Sequence, residues 1–314
     1  MDDLPIDLVY TWVNGEDPNW VKKKMKYMKL ERKILPNSYD SVRFRNLDEL
    51  KYSIRSVRKF APFIRKIFIV TNGQTPSWLK TKSLTKGKQP IIMVKHEEIF
   101  LHKSDLPTFN SVAIEANLHR IPGLAEHFIY FNDDVFFGKK VTPSNFLTSD
   151  GKSKIYLRSK DIPSRKAFKE DDYYFRDGIY YTHKFLKKHV DKKDSHRAVR
   201  HVGYLMRKSV LQEIEDLLKK TNHWDKTMSR FRKNYGIKII SLFYPYYALE
   251  KGYAVEDNKL RAINASKNFH QNYKKILNER PHMFCLNSLL SVDTQLKTFF
   301  KKYFPDKGPE EVSS

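Results

Sequence analysis

Cysteine is nearly absent from this chain: Cys285 is the only one in 314 residues. It can form no intramolecular disulfide and no zinc-thiolate cluster, and such usage fits a reducing compartment. Within His282-Met-Phe-Cys-Leu-Asn287 it reads as a small buried apolar residue. Long apolar runs are missing too; none approaches the roughly 20 residues of a membrane span. Met1-Asp-Asp-Leu-Pro-Ile lacks the charged-then-apolar pattern of a secretory signal. The expectation is a cytoplasmic protein, with peripheral contact at the inner face of a membrane as its route to lipid. No repeat or low-complexity tract interrupts the chain. Acidic residues are scarce: 36 stand against 59 Lys and Arg, a formal net charge of +23. That excess implies an anionic partner, whether nucleic acid, nucleotide, phosphate-bearing polymer or acidic membrane, and its sign alone does not choose. No recognisable nucleic-acid module is present, so nucleic acid is not expected.

Against this basic background, Phe128-Ile-Tyr-Phe-Asn132-Asp133-Asp134-Val-Phe-Phe-Gly138 stands out. Two adjacent carboxylates close one apolar run and open another. They repel each other, and burying them unpaired is costly. A cation seated on Asp133 and Asp134 resolves both problems, and Mg²⁺ (or Mn²⁺) takes such oxygen ligands together with substrate phosphates.

Apolar runs at Ile6–Val13, Lys66–Thr71, Pro90–Val94 and His127–Phe131 alternate with helical patterns at 21–34, after Asn46 and at 111–120. Asn46 and Glu49 stand where a helix N-cap and its capping-box acid belong. This alternation predicts an α/β sheet covered by helices, with ligands at the carboxyl ends of its strands. Three such ends carry polar turns that can converge: Asn14-Gly15, Asn72-Gly73 and Asn132-Asp133-Asp134. Residues 1–150 read as the α/β, metal-binding core. Residues 151–200 read as a polar, variable insertion with a strand near 155–157, and 201–314 as a mostly helical part completing the site, with helices at 204–219, 225–233, 238–250 and 289–303.

Further candidates are weaker one by one. His201 lies between the basic stretch 197–200 and an apolar segment, where a neutral imidazole can take a proton from a hydroxyl. Arg43, Arg45, Arg55, Arg120 and Arg232 stand near polar turns or among apolar neighbours, and guanidinium grips phosphate oxygens bidentately. In the turns Tyr10-Thr11-Trp12-Val-Asn14-Gly15 and Thr71-Asn72-Gly73-Gln74, glycine permits close backbone approach, while Asn and Gln can read a base or sugar edge. Most Asn-Gly turns merely reverse the chain.

Taken together these segments resemble the Stealth family of sugar-1-phosphate transferases, which includes bacterial capsular polysaccharide phosphotransferases and the catalytic subunit of the animal N-acetylglucosamine-1-phosphotransferase. The resemblance rests on 6–15, on Arg43-Phe-Arg-Asn-Leu-Asp-Glu-Leu-Lys-Tyr-Ser-Ile-Arg55, on 61–79 and on 106–138. It rests more loosely on His201 with the following segment, on Ser229-Arg-Phe-Arg232 and on Phe284-Cys-Leu-Asn287, and it is weakest at 150–195. Family members continue with Asp where this chain has Ser288, which puts an acidic role there in doubt.

The resemblance implies a GT-A-like nucleotide-sugar fold and a UDP-sugar donor. It also implies transfer of a whole hexose-1-phosphate, for instance that of an N-acetylhexosamine, to a hydroxyl of a saccharide or lipid-linked oligosaccharide, releasing UMP. The product is a phosphodiester in capsular or cell-surface polysaccharide. It assigns catalysis to His201 (as base or nucleophile), Arg232 and Asp133, the metal to Asp133 and Asp134, and donor binding to Tyr10, Thr11, Trp12, Asn14, Gly15, Asn72, Gly73, Gln74, Arg45, Arg120 and Asn287. An ordinary GT-A glycosyltransferase releasing UDP, and a basic nucleic-acid-binding protein, are the competing readings. Leu296-Lys-Thr-Phe-Phe-Lys-Lys-Tyr-Phe304 mixes aromatic and basic residues and is a candidate for docking on an anionic membrane, or equally a packed helix.

Overall fold

The computed structural model describes residues 4–31, 34, 44, 46–80, 88–161, 173–191, 197–233, 235–265, 269–286 and 294–312. The first half of the chain contains β1 (Ile6–Thr11), α1 (Pro18–Leu30), α2 (Glu49–Phe60), β2 (Ile64–Thr71), β3 (Ile91–Lys95), α3 (His96–Ile99), α4 (Ser111–Ala116), β4 (His127–Asn132) and β5 (Val135–Phe137). Next come β6 (Ser153–Ile155), β7 (Leu157–Asp161), α5 (Tyr173–His189), β8 (Arg197–Val199), β9 (Leu205–Arg207), α6 (Lys208–Lys220) and α7 (Trp224–Thr227). The chain closes with α8 (Tyr244–Glu250), β10 (Ala254–Glu256), β11 (Ala262–Asn264), α9 (Phe269–Glu279), β12 (Met283–Cys285) and α10 (Thr294–Tyr303).

The α/β expectation is met. The central sheet has the order β3-β2-β1-β4-β9; its first four strands are parallel and β9 runs antiparallel to β4. A parallel strand covered on both faces reads as a near-continuous apolar run, and β1 is buried from Ile6 through Tyr10, its one charged residue Asp7 being paired with Arg65. Three smaller sheets, β11-β12-β5, β10-β6 and β7-β8, surround it.

Helix α2 lies against β1 and β5 through hydroxyls as well as apolar side chains. Ser53 Oγ donates to the Val135 carbonyl at 2.5 Å and meets Tyr10 Oη at 2.7 Å, while Ser56 Oγ accepts from Phe137 N at 3.0 Å. Small polar residues on a buried helix face work here because the end of the sheet offers them backbone partners. The start of α2 differs from the expected capping box. Glu49 is its first residue, Asn46 Oδ1 accepts from Asp48 N, and the Glu49 carboxylate reaches back to Leu47 N at 2.6 Å.

The divisions expected at 150 and 200 are crossed by packing. β9 completes the central sheet, β12 pairs with β5, and one apolar cluster runs from Ile6 to Cys285. The expected polar insertion holds the 17-residue helix α5. The helix expected over 225–233 is the single turn α7, the one over 111–120 breaks after Ala116, and that over 238–250 opens with a π-helical turn at Ile239–Phe243. A second cluster buries Leu296, Phe299, Phe300, Tyr303 and Phe304 of the C-terminal segment against Phe136 and Phe284. Those aromatic rings are therefore packing groups unavailable to a membrane, while Lys297, Lys301 and Lys302 stay exposed. No described helix is long and apolar enough to cross a membrane.

Candidate active site

Three strand ends lie side by side. Thr11 is in register with Val70 of β2 on one side and with Asn132 of β4 on the other. The turns at 12–15, 72–74 and 132–134 thus share one edge of the sheet.

The donor-side turns are stiffened by their own polar groups. Gln74 Oε1 accepts from Asn14 N at 2.9 Å, and Gln74 Nε2 donates to the Asn14 carbonyl at 3.0 Å. Asn14 Oδ1 accepts from Glu16 N, and Thr71 Oγ1 links Gly73 N to the Gln74 carbonyl. Gly73 has φ +97°, a backbone state that favours glycine. Gly15 donates from its N to the Phe44 carbonyl at 2.8 Å, and a Cβ at Gly15 would collide with the Phe44 backbone. The close approach expected of this glycine is therefore made to the chain itself.

Side chains of the expected donor set divide sharply. Tyr10 is fully buried and Trp12 nearly so; both belong to the core, so their rings support the turn from beneath. Arg120 pairs with Glu215 of α6 and Asn117 Oδ1 and lies over the Trp224 ring, which makes it a structural cation. Asn72 Oδ1 is buried with no hydrogen-bond partner among the described residues. Arg43, Arg45, Asn287 and Ser288 lie outside the described residues.

At the end of β4 the acids gather. Burial, then the charges of Glu49 and Asp134, hold the Asp133 carboxyl well above the usual range. Burial pushes Glu49 up to about 7; its bonds to backbone N–H groups oppose this, and Asp134 and Asp48 add to it. Among the described residues no Lys or Arg pairs with these three acids. The neighbouring ring is that of His201, whose Nε2 stands 3.9 Å from Asp134 Oδ1, and both atoms are buried without a hydrogen-bond partner. An orphaned carboxylate oxygen amid mutually repelling acids is what a divalent-cation seat requires. His201 reaches this place because Gly203 lies directly on the Phe131 ring, where a Cβ would collide.

Arg232 occupies a second wall. Asn110 Oδ1 caps α4 by accepting from Val112 N at 3.1 Å, while its Nδ2 donates to the Ser229 carbonyl at 2.8 Å. This holds the 229–232 stretch against α4, where Arg232 Nη2 donates to Ser111 Oγ. Burial lowers the affinity of Arg232 for its proton, and Glu115 and Tyr130 oppose the loss. Tyr130 Oη bonds Thr11 Oγ1 at 2.9 Å and donates to Glu115 Oε1 at 3.3 Å, joining this wall to the β1 end. Glu49 and Glu115 are the site residues that the motifs alone left unassigned; both lie within the quoted blocks, but nothing in spacing marks them.

"Stealth protein CR1, conserved region 1" matches residues 4–31 and "Stealth protein CR2, conserved region 2" matches 43–155. The capsular polysaccharide phosphotransferase fcs1 of Haemophilus influenzae is 35% identical over 317 residues, covering 96% of this chain and 84% of that protein. The chain belongs to the Stealth family. Another relative, the capsular polysaccharide phosphotransferase LcbA of Aeromonas hydrophila, is 35% identical over 294 residues, with 91% of this chain and 79% of that protein covered. Exopolysaccharide phosphotransferase SCO2594 of Streptomyces coelicolor is 34% identical over 319 residues, and the Stealth chain described here, although 98% covered, spans about half (52%) of that longer relative. The apo crystal structure of mouse xyloside xylosyltransferase 1 aligns over 90% of this chain and 98% of its own at 9% identity with a TM-score of 0.45, a likeness too slight to argue from.

Proposed function

We propose that this Stealth chain transfers a hexose-1-phosphate from a UDP-sugar to a saccharide hydroxyl, forming a phosphodiester and releasing UMP, in the synthesis of capsular or other cell-surface polysaccharide. The observation that carries this reading is the cluster of Asp133, Asp134 and Glu49 beside His201, next to which Thr11 and Tyr130 lead to Glu115 and the buried Arg232. The relatives' names, which are those of polysaccharide phosphotransferases, support the reaction class.

Asp133 and Asp134 are the residues that would hold Mg²⁺ or Mn²⁺, an ion that supplies positive charge to the donor's pyrophosphate oxygens when bound. The rigid turns at Asn14 and Gln74 and the orphaned Asn72 amide orient the nucleotide. The acceptor oxygen attacks the phosphorus that carries the sugar; a new P–O bond forms there and the bond to the bridging pyrophosphate oxygen breaks, leaving UMP. His201 takes the acceptor's hydroxyl proton. Arg232, anchored by Ser111 and Glu115, stabilises charge on the phosphoryl oxygens; such preorganised donors are worth about 10²–10³-fold in rate.

The nucleotide product tests the reading. Incubation with a panel of UDP-sugars, Mg²⁺ and an oligosaccharide acceptor is expected to give UMP and an acceptor heavier by a sugar phosphate. Release of UDP with an acceptor heavier by the sugar alone would replace it with glycosyl transfer. The expected donor and acceptor lie in aqueous solution or at a membrane face; exposed Lys22, Lys23, Lys26 and Lys29 on α1 are available to an anionic polymer or lipid.

A further inference from the structure

Asp134, His201 and Cys285 are distant in sequence and meet at one point. One carboxylate oxygen, one ring nitrogen and the sulfur lie within 4.8 Å of one another. The backbone brings this about: Cys285 of β12 pairs with Val135 of β5, and Leu286 N donates to the Asp134 carbonyl at 2.9 Å. Cys285 is fully buried, while the His201 side chain is 34% exposed and gives the cluster access to solvent.

The transfer reaction makes no use of a thiol. Magnesium ignores sulfur, whereas an Asp, His and Cys set with one side open matches the ligand preference of zinc and its thiophilic neighbours. Two ligands of one tetrahedral zinc ion stand about 3.4 Å apart for oxygen and nitrogen, and about 3.6 Å where sulfur is one of them. The 3.9 Å between Asp134 Oδ1 and His201 Nε2 exceeds that spacing by about half an ångström. Closing the set takes movements of about 1 Å, shared between the partly exposed His201 ring and the Asp134 carboxylate.

We propose that Asp134, His201 and Cys285 form a site for a thiophilic divalent cation of the Zn²⁺ class, and that filling it withdraws Asp134 and His201 from transfer. Its ligand set differs from the all-carboxylate seat for Mg²⁺, with Asp134 common to both. Binding converts the Cys285 thiol to a metal-bound thiolate and releases one proton to solvent; no other bond changes, so a chelator reverses it. Only the inhibitory half rests on the proposed transferase reading.

Cadmium is the probe, because a cadmium–thiolate bond gives a charge-transfer absorption in the ultraviolet. The full chain is titrated with Cd²⁺ in excess Mg²⁺, alongside His201→Ala, Asp134→Asn and Cys285→Ala. One equivalent of Cd²⁺ is expected to develop the band in the wild type, with at least about tenfold weaker binding in His201→Ala and Asp134→Asn, and no band in Cys285→Ala. His201→Ala keeps the buried thiol and so decides the matter even where Cys285→Ala does not fold. Absence of the band from the wild type, or unchanged affinity in His201→Ala, overturns the site. Zn²⁺ should also suppress Mg²⁺-supported UMP release, and EDTA followed by fresh Mg²⁺ should restore it; Cd²⁺ binding that leaves UMP release untouched overturns the inhibitory half. A chain that makes no UMP yet shows the His201-dependent band would refute the transferase reading and leave the metal site standing.

Discussion

Gln74 grips the backbone of Asn14 with both ends of its amide, accepting from the nitrogen and donating to the carbonyl. A side chain after β2 thereby fixes the turn after β1. Gln74→Ala removes two hydrogen bonds, a loss of about 1–3 kcal/mol. If the proposed donor site holds, the clamp shapes it without touching Asp134 or His201, so KM for the UDP-sugar is expected to rise about tenfold, the equivalent of about 1.4 kcal/mol, with kcat little changed. Steady-state kinetics with varied donor checks this; an equal fall in kcat would assign Gln74 to the reacting centre instead.

Gly203 and the Phe131 ring occupy adjoining space with no room for a methyl group. Gly203→Ala should cost about 1–3 kcal/mol through overpacking, read as a lower denaturation midpoint. The same displacement moves His201, and a shift of about 1 Å at a reacting group can cost about 10²-fold. A large loss of kcat in a variant that is still folded is the expected pair of results.

Arg55 and Glu311 form a buried bidentate ion pair, and Arg55 also donates to the Phe304 carbonyl at 2.8 Å. Glu311→Ala strands the guanidinium, at a cost of about 3–5 kcal/mol. The double change Arg55→Met with Glu311→Leu should recover most of it, since the pair's desolvation then disappears as well. Chemical denaturation of the three variants measures both effects.

Two groups withdraw stability as pH falls, against an opposite gain from Glu49 and Asp133, whose raised carboxyls take up their protons first in the folded chain. Burial lowers His96 from 6.5 to about 4. The unfolded chain then binds this proton first, so stability present above pH 6.5 drains away as pH falls toward 4, by about 3 kcal/mol. Glu215 behaves similarly lower down. Burial would raise it, but hydrogen bonds from His119, Lys219 and Arg120 prevail and bring it from 4.5 to about 2. Its contribution is full above pH 4.5 and lost as pH falls toward 2. Unfolding free energies measured across pH 2–8 and taken as wild type minus variant should isolate each window, the upper one with His96→Leu and the lower one with Glu215→Gln.

The strand ends were legible because buried parallel strands are apolar runs that must stop at polar turns, and the paired acids of β4 are too costly to bury without purpose. Glu49 was legible only as a helix cap, since a carboxylate at a helix start looks the same whether it bonds backbone or joins an acidic centre. Arg120 illustrates the opposite failure: its motif neighbours suggested phosphate, while its partner Glu215 lies 95 residues away and leaves no local trace. Strands β9 and β12, three residues each, are too short for any periodicity. The charge-rich stretch that hides α5 obscured a helix whose residues 185 and 186 are nonetheless buried.

The antiparallel pairing of β9 with β4 bears on how this protein could be taken apart. A fragment limited to the matched regions, residues 4–155, would end with β4 bare along one side, and an uncovered edge recruits whatever strand it meets. Such a piece should self-associate when made alone. Supplied with a second fragment beginning near residue 197, it has a native strand to capture, so the two pieces made together are candidates for a split protein whose reassembly restores His201 to the acids.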